Sequence, residues 1–300
     1  VIEVDGLTKR YGSRVAVDDL TVTIEPGRVT GFLGPNGSGK TTTMRCILGL
    51  TRPTAGSARV LGRPYRELVR PMRRVGALID PRARHPGRTA RSHLLALAQS
   101  NALPARRVDD VIAMVGLESV ADERVRGFSL GMGQRLGIAA ALLGDPDVLM
   151  LDEPVNGLDP EGIRWVRELL RDLADEGRTV LVSSHLMSEM EDTADHLVVL
   201  GRGRLLADVP MAELLGAHAA VRVRTPQGPL LADALRRAGG SVRLEIDGAL
   251  RVEGLGLEEV GDVAYLADVR VHELSQVTAS LEAAYLALTG DDVEYRAVGP

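Results

Sequence analysis

The chain has little of what would make it a polyanion reader, a disulfide scaffold or a membrane span. Aromatic residues are only 3% of the 300, too few for a platform on which bases stack. Positive charge does not dominate: 36 Lys and Arg face 41 Asp and Glu, a net charge of −5, which argues against a nucleic-acid surface. Cys46 is the sole cysteine, so an internal disulfide is excluded and a reducing compartment is the expected home. No apolar run reaches the roughly 18 residues that a spanning helix needs. No charged-then-apolar leader opens the chain, which begins on the strand-like Val1-Ile2-Glu3-Val4. These absences predict a soluble protein, and 300 residues predict one large or two modest domains. Lysine is scarce as well: Lys9 and Lys40 are the two lysines among those 36 basic residues.

Lys40 stands in the most informative stretch, Gly34-Pro35-Asn36-Gly37-Ser38-Gly39-Lys40-Thr41. It fits the phosphate-binding pattern G-x-x-x-x-G-K-[ST] in full, entered by the apolar Val29-Thr30-Gly31-Phe32-Leu33 and left by a helical stretch from Thr42 to Leu50. Glycines at 34, 37 and 39 let successive backbone N–H groups turn inward, so that a triphosphate can sit at the positive end of the following helix. Lys40 would reach the β- and γ-phosphates, and the Thr41 hydroxyl would ligate Mg²⁺. Asn36, Ser38 and Thr42 complete the phosphate contacts expected here.

Residues 1–33 read as β-rich, with Val15–Val17 and Leu20–Ile24 as strands and a turn at Glu25-Pro26-Gly27. Tyr11 lies on a loop between strands, placed either to stack on a purine or to cover a sheet edge. A turn is expected over 52–56 and short strands over 58–61 and 75–79, the latter ending at Asp80-Pro81. Residues 82–90 have loop composition. Helices are expected over 90–100 and 105–115, the second entered through Pro104 and closed by Gly116. A mostly helical insert from about 82 to 144 thus interrupts an α/β core.

The core resumes at Val148–Asp152, a buried strand that delivers a carboxylate at its end, followed directly by Glu153. Two adjacent carboxylates repel and need a cation or a catalytic purpose. Asp152 can hold Mg²⁺ through water, and Glu153 can orient or deprotonate a water in line with the γ-phosphate. A turn over 156–162 leads to a helix over 163–174, and a strand over 179–183 ends at Ser184-His185. A histidine at a strand's C-terminal end lies on the ligand side of an open α/β sheet, which makes His185 a candidate γ-phosphate contact. The remaining histidines have no such placement and read as structural or solvated.

In this order of elements, residues 1 to about 210 resemble the nucleotide-binding subunit of an ABC transporter. The phosphate loop, the acidic strand 148–153, Asn156-Gly157-Leu158-Asp159 and His185 match that family's motifs. The most specific match is Phe128-Ser129-Leu130-Gly131-Met132-Gly133-Gln134-Arg135, similar to the family's signature at a helix start. Read physically, Ser129 caps a helix that runs to about Leu143. The resemblance implies a phosphate-loop NTPase core with an antiparallel β subdomain and the helical insert. It also implies ATP and Mg²⁺ as cofactors and a head-to-tail dimer with two ATP molecules sandwiched. In that dimer Ser129 and Gly131 touch the γ-phosphate held by the second copy, Asp159 lies across the seam, and Tyr11 stacks on adenine. Leu130 and Met132 replace the commoner Gly and Gln of the signature, while Ser129 and Gly131 remain. Asp80 stands where many relatives carry a Gln that touches Mg²⁺ and the attacking water. Aspartate could bind the metal but could not donate to water at neutral pH, or it simply starts a turn with Pro81. Acidic residues there resemble a branch of bacterial exporters handling antibiotics, including the bacitracin and anthracycline-resistance types.

Residues 211–300 differ in composition. A strand over 220–224, a helix over 229–238, a hairpin over 241–252 through Asp247-Gly248, a helix over 258–268 and a strand over 269–271 make a β-α-β-β-α-β order. That order predicts a small α+β, ferredoxin-like domain, with an accessory or regulatory role or a passive stabilising one. An amphipathic helix over 280–288 closes it. The resemblance implies an ATP-hydrolysing motor, peripheral on the inner face of the cell membrane, coupled to a separately encoded permease that exports an antibiotic or another hydrophobic compound. The alternatives are a soluble ABC-type ATPase acting on ribosomes or DNA, disfavoured by the acidic charge, and the motor of an importer. No nucleic-acid partner is expected.

Overall fold

The computed structural model describes residues 1–80, 82–217, 220–277, 280–282 and 284–285. The chain divides into two compact units, Val1–Pro210 and a second that begins at Met211.

The first unit opens with β1 (Ile2–Tyr11) and β2 (Arg14–Ile24), an antiparallel hairpin. β3 (Arg28–Leu33) runs into the phosphate loop, α1 (Lys40–Ile47) leaves it, and β4 (Ala55–Val60) returns to pair with β1. β5 (Val75–Leu78) precedes the helical insert of α2 (Ala90–Ser100), α3 (Arg106–Met114) and α4 (Leu130–Leu142). β6 (Val148–Asp152), α5 (Pro160–Asp175), β7 (Thr179–Ser184), α6 (Met187–Thr193), β8 (His196–Gly201) and β9 (Arg204–Pro210) complete the unit.

Two sheets result, a three-stranded antiparallel one ordered β2-β1-β4 and a six-stranded one ordered β5-β6-β7-β3-β8-β9. The larger sheet is parallel apart from β9. Its strands β6, β7 and β8 are buried throughout, as a parallel sheet covered on both faces requires. Ile2, Leu7 and Leu20 of the small sheet, Met44 of α1, and Phe32 and Met150 of the large sheet share one core. The register pairs Leu33 with Ser184 and Asp152 with Ser183. The C-terminal ends of β3, β6 and β7 therefore form one rim, where an open α/β sheet binds ligands.

Local chemistry sets several boundaries. Thr89 caps α2 reciprocally with Ser92, its hydroxyl accepting from the Ser92 N–H while the Ser92 hydroxyl accepts from the Thr89 N–H. The runs expected at 15–17 and 20–24 are one strand, bent at Asp19, whose φ is +52°. β4 starts at Ala55, inside the expected turn, because Thr8 and Asp5 of β1 supply partners. α5 starts at Pro160 rather than at 163. The Asp159 carboxylate accepts from the Gly162 N–H at 2.9 Å, and Pro160 sits where its missing N–H is not needed.

The second unit carries α7 (Met211–Ala217), β10 (Ala220–Arg224), α8 (Gly228–Arg237), β11 (Ser241–Leu244), β12 (Leu250–Glu253), α9 (Leu257–Leu266) and β13 (Glu273–Val277). Its sheet is antiparallel with order β11-β12-β10-β13, a ferredoxin-like split β-α-β arrangement. The strand expected over 269–271 is displaced to β13. Asp268 takes a φ of +54° at the end of α9. Val269 then turns into the unit's core beside Val260 and Ala264, and pairing with β10 starts only at Glu273. Pro81, His218 and, of the closing helix expected over 280–288, residues 283 and 286–288 lie outside the described residues.

Candidate functional site

The phosphate loop is shaped by contacts that leave no room for a side chain. Gly39 has φ +105° and caps α1, and a Cβ on it would lie 2.7 Å from the Ala16 carbonyl oxygen. A Cβ on Gly34 would collide with the Leu200 carbonyl. Both neighbours are backbone, which cannot yield. The loop N–H groups and the N-terminus of α1 thus converge on one concave surface.

Lys40 is almost fully buried, and its ammonium donates to the Gly34 carbonyl at 2.5 Å and to the Pro35 carbonyl at 3.3 Å. Burial holds it below the ordinary lysine value, while the carboxylates of Glu153 and Asp152 pull it back up. Thr41 donates its hydroxyl to Asp152 Oδ2 at 2.6 Å. Ser183 donates its own to Asp152 Oδ1 at 2.5 Å and accepts the Glu153 backbone N–H at 3.0 Å. Ser183 belongs to this rim although nothing in its local sequence pattern marks it as a site residue. That pattern is a polar pair, Ser183-Ser184, ending an apolar strand beside the acidic one.

Glu153 has φ +51°, a left-handed conformation that costs a non-glycine residue about 1–3 kcal/mol and persists only where its surroundings impose it. The surroundings do so from three sides. Its N–H is held by Ser183, its carbonyl accepts from Gln134 Nε2 at 2.9 Å, and its Oε2 lies 2.7 Å from His185 Nδ1. Glu189 sits nearby on α6, accepting from the Ser184 hydroxyl at 2.9 Å. Burial first, and then the Glu153 charge, push its carboxyl above the ordinary glutamate range.

A cleft of about 440 Å³ lies over the loop, floored by Asn36 to Thr42 and bounded by Tyr11 and Glu153. The Tyr11 ring is half exposed, with Lys9 Nζ 4.8 Å from its centroid. Ser129 and Gly131 are not among the residues lining this cleft. Ser129 caps α4, accepting from the Met132 N–H at 3.2 Å, and a Cβ on Gly131 would lie 2.8 Å from the Gly157 carbonyl oxygen. The first turn of α4 therefore rests on the turn that carries Gly157 and Asp159. Asp80 is placed apart from the cleft. Its carboxylate accepts from the Arg82 N–H at 2.8 Å, and it lines a second cavity of about 470 Å³ together with Tyr65, His93 and Leu97. His196 is buried and paired with Asp208 across β8 and β9 at 2.6 Å, a structural position.

The donors near the loop suit Mg²⁺. Thr41 Oγ1 and both Asp152 oxygens are hard ligands, and the buried Ser38 hydroxyl has no partner. Among the described residues no group of three His, Cys, Asp or Glu side chains could cage a metal. That pattern fits an ion held by one carboxylate, a hydroxyl and phosphate oxygens.

Residues 17–156 match the family model for the ABC transporter domain. Over 217 residues, 71% of each chain, the protein is 42% identical to the bacitracin transport ATP-binding protein BcrA of Bacillus licheniformis. The chain belongs to the ABC transporter ATP-binding family. As an ABC ATP-binding subunit it is an ATPase, whose hydrolysis of ATP drives transport. The likeness extends beyond the first unit. The ABC transporter ATP-binding protein YhcH of Bacillus subtilis (strain 168) is 36% identical over 302 residues, 98% of this chain and 97% of that one. A solved ATP-binding subunit of an ABC transporter superposes with a TM-score of 0.65 at 27% identity, covering 71% of this chain and 91% of that one. Residues 219–282 match a domain of unknown function (DUF8746). Among the described residues of this ABC subunit, no helix is long and apolar enough to cross a membrane.

Proposed function

We propose that this ABC subunit powers the export of an antibiotic or another hydrophobic compound through a separately encoded permease, as a peripheral protein on the inner face of the cell membrane. The observation that carries the ATPase half is the rim where Lys40, Thr41, Asp152, Glu153 and His185 meet. The export half is supported by the 42% identity to a bacitracin transport protein.

In this reading Lys40 and the loop amides hold the β- and γ-phosphates, and Tyr11 stacks on the base. Thr41 and Asp152 hold Mg²⁺, which when bound neutralises charge on the transferred phosphate oxygens. Glu153 accepts a proton from the attacking water, and His185, hydrogen-bonded to it, contacts the γ-phosphate. A second copy closes the site head to tail, presenting Ser129 and Gly131 from its α4, with Asp159 across the seam. Asp80 contributes to the metal only if its side chain leaves the Arg82 amide. The second cavity, between Asp80 and the helical insert, is the groove for a coupling helix of the permease. Residues 1–210 form the ATP-binding domain, and those from 211 an accessory domain for dimer contact or regulation.

Glu153→Gln should bind ATP and stall. Recovering this variant from native membranes with ATP present should bring down a polytopic membrane protein. Recovery of ribosomes or DNA with no membrane partner would sink the transporter reading and favour the soluble alternative. A permease that gates an inward substrate would redirect it to import.

A further inference from the structure

Gln134 is a polar residue on the buried side of α4, only 1% exposed and grouped with the apolar Leu136, Ile138 and Ala141. Its Nε2 donates to the Glu153 carbonyl at 2.9 Å across 19 residues of sequence, while its Oε1 is buried with no hydrogen-bond partner. A buried amide with an unmet acceptor is unfavourable for packing alone. An apolar side chain of the same length would fill the space without that penalty. Among the described residues, the hydrogen bond that the amide makes falls on the residue with the left-handed backbone, whose side chain lies at the nucleotide cleft.

We propose that Gln134 is a positioning residue: it fixes the backbone of Glu153 from the signature helix and so sets where the carboxylate points. The position of Gln134 in the chain adds a consequence. Ser129 and Gly131 begin the same helix, and the Gly131 turn rests on Gly157, four residues beyond Glu153. α4 therefore grips the 153–157 segment at two points, a hydrogen bond at Glu153 and a steric contact at Gly157. A second nucleotide seated against the N-terminus of α4 shifts one rigid element that also holds this chain's own catalytic carboxylate. Each copy senses the nucleotide of the other through Gln134. The inference rests on the reading of Glu153 as the residue that accepts the proton.

The test compares full-chain wild type with Gln134→Leu, Gln134→Met and Glu153→Gln for ATP affinity, kcat, KM, the Hill coefficient for ATP and melting temperature. Both Gln134 variants preserve volume and remove the donor. The expected result is a melting temperature equal to wild type or higher and an ATP affinity within about twofold. With these, kcat should fall by roughly 10–100-fold, the effect of a misplacement on the order of 1 Å, and the Hill coefficient should move toward one. If Glu153→Gln abolishes turnover while both Gln134 variants keep kcat and the Hill coefficient, the positioning role is overturned. Unfolding of both variants would overturn it too, leaving Gln134 a core-filling residue. Wild-type turnover by Glu153→Gln would instead remove the reading on which the inference rests.

Discussion

Thr41 and Asp152 are 111 residues apart in sequence and share a 2.6 Å hydrogen bond at the rim of the central sheet. One side chain opens α1, the other ends β6, and the parallel register of β3, β7 and β6 brings them level. The contact joins the helix that leaves the phosphate loop to the strand that ends in the two carboxylates. Ser183 closes it from the far side by holding the other Asp152 oxygen.

Ser183→Ala would leave an Asp152 oxygen and the Glu153 N–H each short of one partner. We expect a loss of about 1–3 kcal/mol of stability and a weakening of Mg²⁺ affinity of about 10–100-fold, as for other residues that orient a metal ligand. A Mg²⁺ titration of ATP hydrolysis reads the second effect. An unchanged half-saturation would show that Thr41 alone orients Asp152.

Gly39→Ala places a methyl group 2.7 Å from a backbone oxygen at a φ of +105°. The strain of about 1–3 kcal/mol falls on the loop that forms the nucleotide cleft. Calorimetric titration should show ATP binding lost, while circular dichroism should show the helices retained.

Glu189 supplies a pH signature. Its carboxyl is raised in the folded chain by burial, and next by the Glu153 charge against the opposing help of the Ser184 hydroxyl. A raised carboxyl binds protons more tightly when folded. Its contribution is most favourable below the unfolded value and is lost as pH rises through the folded one. Glu189→Gln removes the buried charge but keeps an acceptor for Ser184. The variant should melt higher than wild type at about pH 8 and at the same temperature at about pH 4. A difference that does not grow with pH would show that Glu189 is not penalised by burial.

Arg222 of β10 gathers the carboxylates of Glu245, Asp247 and Glu273, tying the β11–β12 turn and β13 to the middle of the sheet. Its guanidinium is held well above the ordinary range by hydrogen bonds to Glu273 and Glu245. Arg222→Leu should raise hydrogen exchange at 245–249 and 273–277 and leave ATP hydrolysis unchanged. Loss of ATPase activity in this variant would show that the second unit acts on the first.

Much of the site is legible in the chain because phosphate binding depends on local backbone shape. Gly34, Gly37 and Gly39 with Lys40 and Thr41 carry their geometry in eight consecutive residues. α2 over 90–100 and β6 over 148–152 were readable for a related reason, a cap or an unbroken apolar run that closes within one element. What the sequence leaves open is set by partners far along the chain. The strand expected at 269–271 moved to 273–277 because β10, not the β-branched Val269 and Val271, decides where a ladder can start. Ser183 reads as the end of a strand and Gln134 as part of the signature at a helix start, and only the fold lays them against Asp152 and Glu153. Asp80, adjacent to a readable strand, turned to its own backbone neighbour Arg82 and to a different cavity. The sequence by itself determined the phosphate-binding loop and the pair Asp152 and Glu153 at the end of a buried strand. Only the tertiary structure decided which groups orient those carboxylates, because a hydrogen bond reaches about 3 Å and the residues it joins are neighbours in the sheet and not in the chain.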